Sequence, residues 1–95
     1  MEEKNPIQVA DRLFLVLETL SEEGPTALAD LSRMLELHKS TVHRLLNSLI
    51  FLGYVSQDPE TGKYQMTFKL CELSNKILSQ MDILDQIRPY LKKLA

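Results

Sequence analysis

A mainly α fold with one small β-hairpin is what the sequence predicts, and three observations predict it. Apolar residues recur at steps of three and four over most of the chain before Gly53 and again after Phe68, the spacing of helices with one buried face. Glycine and proline break the pattern at Gly24-Pro25, at Gly53 and at Asp58-Pro59-Glu60-Thr61-Gly62. On either side of the last break the apolar pattern shortens to strand-like runs separated by turn chemistry.

In order, the first five residues are polar and expected to fray. Helical spacing begins near Ile7, with Val9, Ala10, Leu13, Val16, Leu17 and Leu20 on the core side, Leu15 nearly opposite and Phe14 at the margin. Gly24 suits the position just past a helix and Pro25 cannot continue it. Thr26-Ala27-Leu28 reads as a bridge or short strand, followed by a second helix from about Ala29 to Leu35. Glu36-Leu37-His38-Lys39 forms a turn, and Ser40 or its neighbour is expected to cap a third helix that runs to Leu52 and ends at Gly53. Tyr54 to Gln57 and Lys63 to Met66 pair across the turn, with Tyr64 and Met66 on one face. After Phe68 the stripe Leu70, Leu73, Ile77, Met81, Leu84, Ile87, Leu91 and Leu94 is helical; Asp82 is expected to restart a helix as its N-cap, and Pro89 to bend or interrupt it. This order is that of a winged helix-turn-helix over residues 1–68, with a helical linker over residues 69–95.

At 95 residues the chain is one small domain with little area to spare for a ligand cavity, and without Trp its core must be built from Leu, Ile, Val and Met. No apolar run approaches the ~18 residues of a membrane span, and the first residues lack a signal peptide's basic start and apolar stretch. A soluble cytoplasmic protein with no membrane partner is therefore expected. Cys71 stands alone between Leu70 and Leu73 and reads as a buried apolar residue; with only His38 and His43 beside it, no metal site is expected. Nor is a cofactor or an enzymatic activity, since the sequence has no nucleophile with a base at useful spacing and no phosphate loop.

The net charge of −2 is unevenly spread. The acids Glu2, Glu3, Asp11, Glu18, Glu22 and Glu23 crowd the first helix region, whereas residues 28–69 are slightly basic. Stepping the third helix by about 100° per residue puts Val42, Leu45, Leu46, Leu49 and Leu52 on one side. Ser40, Thr41, His43, Arg44, Asn47 and Ser48 fall on the other, with Arg44 near the middle and no acid among them. Solvated helix faces normally mix both signs. An acid-free face of mostly short side chains instead suits close approach to the DNA major groove.

The expected contacts divide by chemistry. Arg44 suits guanine or a phosphate, Asn47 suits adenine although it lies nearly two turns in, and Ser40 and Thr41 sit where helix amides favour phosphate. Lys39 is a phosphate anchor. His43 contacts DNA or packs on the second helix; Arg33 contacts phosphate or pairs with Asp30. In the hairpin Lys63 suits phosphate, while Asp58 and Glu60 would hold the tip out of the minor groove; alternatively the hairpin merely caps the core. The competing reading is a protein-interaction module without DNA binding, for which Phe51 on the polar side of the third helix speaks.

Phe14 and Leu15 on the first helix, with Leu73, Ile77 and Met81 on the tail, are more apolar surface than so small a core absorbs. A two-fold homodimer interface is the simplest use of both, and it would set two recognition helices on pseudo-palindromic DNA; covering a further domain is the other.

Three segments carry a family resemblance: Lys39-Ser40-Thr41-Val42-His43-Arg44-Leu45-Leu46, Leu52-Gly53-Tyr54-Val55 and Asp58-Pro59-Glu60-Thr61-Gly62-Lys63-Tyr64. In order and spacing they resemble the N-terminal domain of IclR-type transcription regulators, over about residues 7–95. The resemblance implies binding of double-stranded operator DNA as a homodimer, mostly as a repressor and sometimes as an activator, with tetramer assembly left open for a full-length protein. It further implies a small-molecule effector bound only through a separate C-terminal domain, toward which Ile87-Arg88-Pro89-Tyr90-Leu91 resembles the linker. That domain is absent from the sequence, which leaves an excised fragment or a naturally short regulator; the fragment is the expectation, because the chain stops where the second domain would begin. The family favours Gly where Glu36 stands and often Pro where His38 stands, so Glu36 is expected to be forced to positive φ.

Overall fold

The computed structural model describes residues 4–81 and 83–94; the expected N-cap Asp82 and the side chains of Leu84 and Leu94 lie outside the described residues. Helix α1 spans Gln8–Glu23. Ahead of it Asn5 accepts the Ile7 N–H at 3.0 Å and donates to Asp11 at 2.9 Å, closing the entry turn. Gly24, at φ 76°, ends the helix and returns its N–H to the Leu20 carbonyl. Val16, Leu17 and Leu20 are buried, but Val9, expected on the core side, is 55% exposed because α1 begins beyond the packed centre.

Helix α2 spans Leu28–Leu35 and ends on Glu36 at φ 54° and ψ 42°, the left-handed conformation expected there. The Glu36 and Leu37 N–H groups reach back to Arg33 and Ser32, and Leu37 then packs against the core. Helix α3 spans Lys39–Leu52. Its N-cap is His38, not Ser40 or the residue beside it, and no side chain caps it. His38 holds extended backbone and its carbonyl already accepts the Val42 N–H at 3.0 Å, which leaves Ser40 inside the first turn. At the far end Gly53, at φ 92°, sends its N–H to Ile50, and the Tyr54 N–H reaches Leu49, the paired bonds of a Schellman closure.

Strands β1 (Val55–Gln57) and β2 (Tyr64–Met66) pair antiparallel, Ser56 opposite Gln65. Tyr64 is buried and Gln65 exposed, the expected alternation. The short strand expected near Thr26 is a single bridge, Thr26 to Tyr64, closed by two backbone bonds of 2.9 and 2.8 Å. Val16, Leu20, Leu31, Val42, Leu46 and Val55 form the centre where α1, α2, α3 and the hairpin meet.

Helix α4 (Lys69–Gln80) leaves this centre at once and buries none of its residues, so Cys71 is exposed rather than packed in the core. Helix α5 (Ile83–Leu94) contains Pro89 without ending there, so of the expected bend or interruption the interruption is absent, and Pro89 has no N–H to give to the helix. Among the described residues no helix is long and apolar enough to cross a membrane.

Candidate nucleic-acid interface

Burial of Val42, Leu45, Leu46 and Leu49 fixes the rotation of α3 about its own axis. The opposite face is thereby turned to solvent: Lys39, Ser40, His43, Arg44, Asn47 and Ser48 are exposed and Thr41 is half-exposed. The structure thus brings together most of the side chains singled out for DNA. His43 does not sink against α2: it is exposed, and its Nδ1 lies 3.4 Å from the Asn47 amide nitrogen one turn along, so the two brace each other on the outer face.

Two cations lie apart from that cluster. Arg33 on α2 bonds Asp30 at 2.9 Å in an exposed pair, the second of its two expected uses. Such a pair is worth at most about 1 kcal/mol, so it could be exchanged for a phosphate. Lys63 is exposed beside β2. The hairpin does cap the core through Val55 and Tyr64, as one reading of it anticipated. Asp58 is engaged in the turn itself, its carboxylate accepting the Glu60 N–H at 2.9 Å.

One residue of the site escaped sequence reasoning. An open groove of about 310 Å³ runs between α1 and α3, and Arg12 lines it together with Arg44, Thr41 and Ser48. The available signal was its position: a lone arginine between Val9 and Leu13 on an otherwise acidic helix, on the flank that turns toward α3. A second groove, of about 270 Å³ and almost wholly apolar, lies between α1, α3 and α4 and is lined by Phe14, Leu52, Leu70 and Leu73 among others. Phe14, Leu15, Leu73, Ile77 and Met81, the residues expected to pair two copies, are all substantially exposed. Among the described residues no group of His, Cys, Asp or Glu could hold a metal ion.

A helix pair joined by a tight turn, the second helix presenting an acid-free polar face, and a hairpin packed behind it define a winged helix-turn-helix domain of the kind used by transcription regulators. The chain belongs to the IclR helix-turn-helix family, whose domain matches residues 9–59. It is 35% identical to the HTH-type transcriptional regulator KdgR of Dickeya chrysanthemi, over 98% of this chain and 31% of that protein. It is 39% identical to the DNA-binding transcriptional repressor YiaJ of Escherichia coli K12, over 87% of this chain and 30% of the repressor. Its fold matches the crystal structure of an IclR family transcriptional regulator from Brucella abortus with a TM-score of 0.76 at 28% identity, covering 94% of this chain and 35% of that one. The chain therefore spans about a third of the length of the regulators it matches.

Proposed function

We propose that residues 1–68 are the operator-reading domain of a cytoplasmic transcription regulator, acting as a repressor, and that residues 69–95 are a helical linker toward an effector-binding domain. The observation that carries this reading is the outer face of α3, exposed along its length and free of acids in a chain with more acids than bases. Arg44 and Asn47 are assigned to base edges in the major groove, and Ser40, Thr41, His43 and Lys39 to its walls. Lys63 reaches phosphate from the hairpin, and Arg33 does so by exchanging Asp30 for a phosphate oxygen. Two copies paired through Phe14, Leu15, Leu73, Ile77 and Met81 would address half-sites about one helical turn apart.

A protein-docking role has one observation in its favour, the 89% exposure of Phe51. The exposure of one side chain does not by itself define a docking surface, and the named relatives are transcription regulators, so the DNA reading is preferred.

The salt dependence of binding tests the DNA reading. Arg33, Lys39 and Lys63 on two protomers contribute a slope of log affinity against log salt of roughly −5 at ~0.9 per phosphate, and roughly −7 would require Arg44 on phosphate rather than on a base. A clearly negative slope is expected on a duplex selected by the protein from a random-sequence library, and a slope near zero rejects the phosphate roles.

A further inference from the structure

We propose that Arg12 is a DNA-phosphate anchor, holding a phosphodiester oxygen in the groove between α1 and α3 so that Arg44 is left free for a base edge. The proposal rests on the DNA reading above and adds a site that reading does not contain.

The polar side of the groove suits an anion. Arg12 enters it from α1 and Arg44 from α3; the Thr41 and Ser48 hydroxyls add two donors, and no acid lines it. Among the described residues Arg12 makes no ion pair; the salt bridge there is that of Arg33 with Asp30. Its neighbour Asp11 accepts from the Asn5 amide at 2.9 Å instead. Two guanidinium groups lining one small groove repel each other, and an anion between them removes that cost. Arg12 is also half-buried, with Val9 and Leu13 lining the same wall, so part of its side-chain freedom is already lost before DNA arrives.

The location suits a phosphate more than a base. A helix lying in the major groove has a sugar–phosphate strand along each flank. The flank of α3 that faces α1 carries Thr41, third residue of the helix, where unpaired backbone N–H groups and the helix dipole also favour negative charge. A cation reaching this flank from α1 meets the strand at its edge and has no line to the base pairs.

The experiment measures affinity by fluorescence anisotropy across a salt series, on two duplexes of equal length: one selected from a random library, one of random sequence. Arg12→Gln removes the charge, and Arg12→Met removes it while keeping the apolar stem, so a packing defect is told apart from a lost contact; thermal melts monitor folding. Both variants should make the slope shallower by about 0.9 for each groove seated on DNA, equally on the two duplexes, and Arg12→Lys should restore it. The wild-type slope retained in Arg12→Gln and Arg12→Met, or a loss confined to the selected duplex, overturns the proposal. A wild-type slope near zero would instead defeat the DNA reading itself, which keeps the two failures distinct.

Discussion

The ammonium of Lys69, first residue of α4, donates a 2.6 Å hydrogen bond to the carbonyl oxygen of Leu52, last residue of α3. The same ammonium stands 5.0 Å from the centre of the Tyr54 ring. Next to it the Thr67 hydroxyl donates to the Gly53 carbonyl at 2.6 Å, and a Cβ on Gly53 would sit 3.3 Å from the Lys69 Cδ. The end of the proposed recognition helix and the start of α4 are thus fastened by polar bonds and a positive charge at a helix C-terminus, not by buried apolar surface.

Lys69→Met removes that bond and that charge. It should cost about 1 kcal/mol of unfolding free energy, read as a lower denaturant midpoint, with Lys69→Arg losing less. An unchanged midpoint would mean that the Schellman closure at Gly53 alone suffices to end α3.

Glu36→Gly should stabilise the domain. Glu36 holds φ 54°, a conformation that costs a side-chain-bearing residue roughly 1–2 kcal/mol, part of which the greater unfolded-state freedom of glycine takes back. A net gain of about 0.5–1 kcal/mol is expected, a rise of a few degrees in Tm by calorimetry. A fall in Tm would show that the Glu36 side chain contributes more than its backbone costs.

Positions decided by local chemistry were legible in the sequence. Gly24-Pro25 ends α1 where it must; the left-handed turn at Glu36 was legible only through the family resemblance, since a glutamate itself gives no sign of it. The polar face of α3 was legible because four buried apolar residues at helical spacing fix the opposite side. What the sequence hid depends on how helices meet. Cys71 lies in an apolar stripe indistinguishable from a core stripe, yet α4 leaves the core and the stripe stays in solvent. Val9 fits the core period of α1 but lies beyond the packed centre, and the same offset opens the groove that brings Arg12 beside Arg44. Ser40 has capping chemistry, but the extended backbone that defines the cap falls on His38.

The exposed apolar residues of α1 and α4 lead to a prediction about assembly. Sedimentation of the wild-type chain at roughly 100 µM should give a dimer, and Leu15→Glu with Ile77→Glu should give a monomer of unchanged helicity. A wild-type monomer at that concentration would assign these surfaces to a further domain rather than to a second copy.

Base discrimination by Arg44 tests the central claim, that the outer face of α3 reads DNA, most directly. Arg44→Lys keeps the charge and loses the planar fork, which can bond two acceptors of one guanine. Binding of the variant should be compared across a set of duplexes carrying every single-base change in the selected site. The account predicts that discrimination collapses by roughly 1–3 kcal/mol at one base position in each half-site, with the other positions unchanged. Unaltered discrimination at every position, or the same loss of affinity on all duplexes including random sequence, would contradict it.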